Sequence, residues 1–84
     1  MKYWKNYFEE LLDEPEWGFS TWYLELDDHS LPVRQVVVFD SGPVLRQERE
    51  KHELSHTPIV TSSHSEYKFT EISSDDFDRM WESA

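Results

Sequence analysis

Residues 52 to 56 read His52-Glu53-Leu54-Ser55-His56, which fits the H-E-x-x-H pattern that zinc-dependent hydrolases use. Two histidines four apart share one face of a helix and can hold one Zn²⁺, while the intervening Glu takes a proton from the metal-bound water. That chemistry needs a helix through both histidines and a third protein ligand. Pro58 disfavours helical geometry at Thr57, so a helix would have to stop at about His56. Upstream, Arg46-Gln47-Glu48-Arg49-Glu50-Lys51 offers almost no apolar stripe on which such a helix would pack. Neither His29 nor His64 stands at a recognisable ligand spacing. A solvated loop is the better reading of this segment, a small zinc hydrolase a remote one, and neither a metal nor another cofactor is expected.

Other catalytic patterns have less support. With two glycines and no cysteine, the chain has no G-x-S-x-G turn, no glycine-rich phosphate loop and no thiol nucleophile. His29 stands beside Asp27 and Asp28, an arrangement more often an exposed ion pair than a proton-transfer site. No catalytic residues are assigned, and the chain is read as a binding module rather than an enzyme.

Eighty-four residues suit a single domain, 1–84, with one modest core. Four Trp, four Tyr and five Phe supply large apolar areas for it. The absence of Cys removes disulfides and favours a reducing cytoplasm. No apolar run approaches a membrane span, and Met1-Lys2-Tyr3-Trp4-Lys5 does not read as a signal peptide.

The formal net charge of −10 disfavours nucleic acid and anionic membrane as direct ligands and favours a cationic protein. Between Asn6 and Val33 the sequence carries eight carboxylates and no Lys or Arg. Aromatic residues interleave with these acids, a mixture common in interface hot spots. Asp13, Glu14, Glu16, Trp17, Glu25, Asp27 and Asp28 are therefore the candidate partner-binding residues.

The elements that would position them follow from periodicity. Lys2 to Leu12 satisfies both a helical spacing and a strand composition; a strand that turns helical near Glu9 is the leaning, ended by Asp13-Glu14-Pro15. Trp22, Leu24 and Leu26 alternate with Tyr23 and Glu25, a half-buried strand. Asp27 to Pro32 is a turn, and Val33 to Phe39 a second strand, expected at the centre of the sheet because Val36-Val37-Val38-Phe39 is apolar on both faces. A hairpin closed by this turn pairs Leu26 with Val33, Glu25 with Arg34, Tyr23 with Val36 and Trp22 with Val37.

Asp40-Ser41-Gly42-Pro43 turns into an edge strand, Val44 to Glu48, and Ile59-Val60 and Tyr67-Lys68-Phe69 each suit a short strand. Ser73 caps a helix from Ser74 to about Ser83 that presents Phe77, Met80 and Trp81 on one face. Trp81 is expected to be mostly buried. The fold class is α+β: a small antiparallel sheet of three to five strands with the C-terminal amphipathic helix packed on one face.

Several short motifs occur in a fixed order: Asp13-Glu14-Pro15, Glu25-Leu26-Asp27-Asp28, Arg34 with Val36 and Phe39, Asp40 with Gly42, and Ile72-Ser73 followed by Asp76-Phe77 and Trp81. In these the chain resembles a small bacterial domain-of-unknown-function family, a resemblance that covers the two ends and the central hairpin and implies no activity. In general character it is similar to the immunity proteins of contact-dependent inhibition systems. That similarity implies a cytoplasmic monomer in a one-to-one complex with a cationic nuclease toxin, a ribonuclease in the sharpest version, whose active site an acidic surface covers. A nucleic-acid mimic or an acidic adaptor is the alternative.

Overall fold

The computed structural model describes residues 1–9, 15–59 and 69–84. Among these residues five strands form one antiparallel sheet: β1 (Lys2–Phe8), β2 (Ser20–Leu26), β3 (Pro32–Phe39), β4 (Val44–Glu48) and β5 (Phe69–Glu71), in the spatial order β4-β3-β2-β1-β5. Among the described residues one α-helix, α1 (Ser74–Ser83), packs on the sheet, and Pro15–Trp17 make a turn of 3-10 helix. The fold is α+β, as the periodicities indicate.

The tyrosine- and tryptophan-rich N-terminus is a strand as far as Phe8 and pairs along its whole length with β2, Tyr3 opposite Glu25 and Tyr7 opposite Thr21. Whether the chain turns helical beyond Glu9 lies outside the described residues. Phe69 opens β5, which adds to the far side of β1, whereas Ile59 lies in a loop, its N–H donating to Ser30 O. Val60, Tyr67 and Lys68 lie outside the described residues.

In the β2–β3 hairpin, Glu25 stands opposite Arg34, Tyr23 opposite Val36 and Trp22 opposite Val37, as expected. Leu26, however, meets Pro32 and not Val33, with a register shift beside it. The turn explains the slip. The Asp27 carboxylate accepts from the N–H groups of His29 and Leu31 at 2.9 and 3.0 Å, and Asp27 N–H donates to Leu31 O. Ser30 takes a left-handed φ of 62° inside that ring. The closure ends at Leu31, so Pro32 becomes the first strand residue, where its missing N–H is tolerated, and Val33 is the extra residue of a bulge.

Two interior positions flank the sheet's middle, and β3 takes one of them. The central strand is β2, because β1 and β5 extend the sheet beyond it. The apolar run on β3 still has hydrogen-bonded neighbours on both sides, which is what its composition requires. At the β3–β4 turn Gly42 N–H donates to Phe39 O with φ at 120°, a conformation that favours glycine.

Side chains alternate across the sheet. One face carries Tyr3, Glu25, Arg34 and Val36, and α1 lies over it, with Phe77 fully buried and its ring 5.5 Å from that of Tyr3. The other carries Leu24, Val37, Phe39 and Ser20, all buried, with Trp17 edge-on to Phe39 at 5.0 Å. Ser73 Oγ accepts from Asp76 N–H at 3.1 Å and starts the helix. Trp81 is only half-buried, contrary to the expectation from its position beside Phe77. Two guanidinium groups lie against its ring, Arg34 at 5.0 Å and Arg46 at 4.5 Å from the ring centre, and Arg46 also donates to Trp81 O at 3.0 Å.

Candidate functional site

The acidic block that is continuous in the sequence is divided in space. Glu16 and Trp17 precede β2, whereas Asp27 and Asp28 follow it, so roughly 20 Å of extended chain separates the two groups. Glu16 and Asp28 are exposed and Trp17 is half-buried on Phe39. Asp13 and Glu14 lie outside the described residues.

Two of the expected partner-binding acids are committed elsewhere. The Glu25 residue is 5% exposed, and its carboxylate accepts from Arg34 Nε and Nη2, each at 2.8 Å. This follows from the period of the strand, which turns Glu25 toward α1 and sets it directly opposite Arg34. The Arg34 hydrogen bonds hold the Glu25 carboxyl below its ordinary range against burial, which pushes it up; the Tyr3 hydroxyl adds a further hydrogen bond. Asp27 is tied to Arg49 at 2.8 Å as well as to the turn N–H groups, and these bonds lower its pKa to about 2. Both carboxylates therefore already have cationic partners within the chain.

The His52–His56 segment is a loop. Glu48 N–H donates to His52 Nδ1 at 3.3 Å, Leu54 is buried, and His56 Nε2 lies 3.5 Å from the exposed Glu53 carboxylate. Residues 52–56 line an open cleft of about 440 Å³ together with Leu31, Pro32 and Arg49. The helix that H-E-x-x-H requires does not form, and among the described residues no three His, Asp or Glu side chains gather as metal ligands.

A different surface is open. On the face that α1 packs against, Tyr7, Thr21, Val38 and Val44 form one row across four strands. Tyr7 is 46% exposed and Val44 42%, while Thr21 and Val38 are half-buried. In the next row toward the helix, Tyr23 lies beneath the Lys5 ammonium at 5.6 Å from the ring centre. The Tyr7 hydroxyl donates to Asp40 Oδ2 at 2.7 Å and its ring stands edge-on to Phe19 at 6.3 Å. That hydrogen bond raises the Tyr7 pKa, since ionisation would forfeit it and set two anions together.

Charge is distributed unevenly around this row. Each Lys and Arg among the described residues lies against a carboxylate or an aromatic ring: Lys2 on Glu71, Arg34 on Glu25, Arg49 on Asp27, Lys51 on Glu48 and Arg79 on Asp76, with Lys5 and Arg46 on rings. Glu9, Glu16, Asp28, Glu50, Asp75 and Glu82 are exposed and pair with no cation among the described residues. The loops at the Tyr7 end, residues 15–19 and 40–43, contain Glu16 and Asp40 and no Lys or Arg. At the opposite end Arg49 pairs with Asp27 and Lys51 with Glu48, beside the exposed Asp28.

Tyr7, one of the aromatic residues that interleave with the acids, and Val44, on the edge strand, both fall outside the partner-binding set expected from the sequence. The available signal was the odd-numbered polar and aromatic series Tyr3, Lys5, Tyr7 against the even-numbered Trp4, Asn6, Phe8: tyrosine tolerates a wet face that tryptophan and phenylalanine leave. Compared with known protein families, curated proteins and solved structures, the chain matches none. No helix among the described residues is long and apolar enough to cross a membrane.

Proposed function

We propose that the chain is an immunity-type inhibitor: a cytoplasmic monomer that binds a cationic nuclease toxin, a ribonuclease in the sharpest version, one to one and covers its active site with acidic surface. The observation that carries this reading is the uncompensated charge. A formal net charge of −10 is combined with cations that, among the described residues, are held by the protein's own carboxylates and rings, so Glu9, Glu16, Asp28, Glu50, Asp75 and Glu82 face outward with no cation paired to them there. Such a surface steers onto a basic protein rapidly and repels nucleic acid. The reading assigns the chain no catalysis and no cofactor.

Of the acids first assigned to the interface, Glu16 remains the best placed, beside Trp17 and the Asp40 turn. Asp28 lies at the other end of the sheet and contributes to the long-range field. The test is co-expression with the C-terminal toxin domain encoded immediately upstream in the native DNA. The expected result is restored growth with intact cellular RNA; continued RNA loss at stoichiometric inhibitor would overturn the proposal.

A further inference from the structure

We infer that the row Tyr7, Thr21, Val38 and Val44, with Asp40 at its margin, is the centre of the docking surface, and that it takes an arginine side chain of the cationic partner between the Tyr7 ring and the Asp40 carboxylate. This rests on the proposed function and locates its interface. The row combines the two properties that separate an interface centre from a solvated face. It exposes tyrosine and valine in a continuous strip across four strands, about 14 Å wide at the spacing of a sheet. It also lies at the end of the sheet where Glu16 and Asp40 have no basic neighbours in their loops.

The same sheet face already displays the chemistry invoked. Arg34 forms a fork with the Glu25 carboxylate while its guanidinium lies 5.0 Å from the ring centres of Phe77 and Trp81. Tyr7 and Asp40 repeat the pairing of ring and carboxylate, held together by a 2.7 Å hydrogen bond, and no Lys or Arg among the described residues forms an ion pair with Asp40. Asp40 keeps a second oxygen for a donor, and Tyr7 is 46% exposed. A guanidinium fits both requirements, because it is planar, stacks on aromatic faces and donates to carboxylates in pairs. A lysine ammonium satisfies the charge without the stacking. A second copy of this chain is disfavoured by its own charge of −10.

Binding of the same toxin domain is measured by surface plasmon resonance for the wild type and for Tyr7→Ala, Asp40→Asn, Val44→Lys and Asp28→Lys, each first shown by urea denaturation to be folded. Tyr7→Ala and Val44→Lys are expected to weaken affinity about 30-fold or more, mainly through faster dissociation, and Asp40→Asn about tenfold. Asp28→Lys, at the opposite end, should stay within about threefold and act on association. If the wild type binds and the three row variants bind equally well, the docking surface is elsewhere and only this inference fails. If the wild type does not bind the toxin, the proposed function fails. The location is then decided with a blocked pentapeptide carrying two arginines, titrated into the isotope-labelled protein. Amide shifts centred on Tyr7, Thr21, Val38 and Asp40 support it, and shifts centred on Asp75 and Asp78 overturn it. A concentration-dependent dimer in sedimentation that Tyr7→Ala abolishes would also overturn it, by giving the row to a second copy.

Discussion

Arg34 donates from Nε and Nη2 to the two carboxylate oxygens of Glu25, each at 2.8 Å, beneath a helix whose Phe77 and Trp81 rings both lie 5.0 Å from the guanidinium carbon. One residue of β3 thus ties together β2, β3 and α1. The tie is asymmetric in its consequences, because the carboxylate is buried whereas Arg34 keeps a quarter of its side chain in water and a second anion, Asp78, at 3.2 Å. Glu25→Ala strips the arginine of its main partner under the helix and is expected to destabilise the fold by about 3 kcal/mol in urea denaturation. Replacing both partners, Glu25→Ala with Arg34→Met, should recover a large part of that loss. A Glu25→Ala variant within about 0.5 kcal/mol of wild type would show that the pair is dispensable.

Acid should act through the same contact. Glu25 is held below its ordinary range by Arg34, and Asp27 is held at about 2 by Arg49 and the turn N–H groups. A carboxylate whose pKa is depressed on folding contributes stability that is present above its unfolded value, roughly 4, and is lost as pH falls through the folded value. Stability should therefore be flat near neutrality and decline below about pH 4, with Asp27 protonating only near pH 2. Glu25→Gln should flatten the upper part of this decline, and carboxyl chemical shifts followed by NMR from pH 7 to 1.5 would check both groups directly. An Asp27 that titrates near 4 would show that the Asp27–Arg49 closure is not formed in solution.

The hairpin was legible because its signals are local and mutually consistent. A β-branched run, an Asp-rich turn and a directly opposed pair of opposite charges fix Glu25 against Arg34, and only the bulge at Val33 escaped, since it depends on how the Asp27 side chain closes the turn. The helix was legible for the same reason, with Ser73 as cap and Phe77 on its buried face. The proposed docking surface was not. Proximity along the chain put Glu16, Glu25 and Asp28 in one patch, but an extended strand carries its ends apart and turns alternate residues to opposite faces. Tyr7 and Val44 are distant in sequence and meet in one row only through three strand pairings, which no local pattern reveals.

The two aromatics of α1 should differ in their effect on stability. Phe77 is fully buried against Tyr3, so Phe77→Ala removes a large side chain from a closed site and should cost about 3 to 5 kcal/mol. Trp81 is half-buried and stacked on Phe77, with Arg34 and Arg46 over its ring, an arrangement expected to contribute about 1 to 2 kcal/mol through cation–ring contacts and partial burial. Urea midpoints of the two alanine variants should fall in that order. Equal losses would mean that Trp81 is buried as deeply as Phe77 in solution.

Zinc should find no tight site at His52 and His56. In a helix the two rings would project from one face, but here the chain has left β4 through a turn in which Lys51 N–H and His52 N–H both donate to Glu48 O. The His52 ring closes that turn from the other side, its Nδ1 accepting from Glu48 N–H at 3.3 Å, so one nitrogen is already occupied by the backbone. Leu54 is buried between the histidines, and His56 is exposed with Glu53 as its neighbour. To gather two imidazoles around one ion the loop would have to refold as a helix against Pro58 and withdraw Leu54 from its contact. Calorimetric titration with Zn²⁺ is expected to show no stoichiometric binding, and metal content after purification without chelator should be well below one equivalent in both wild type and His52→Ala. One tightly held equivalent that disappears in His52→Ala would mean that the loop does make this change.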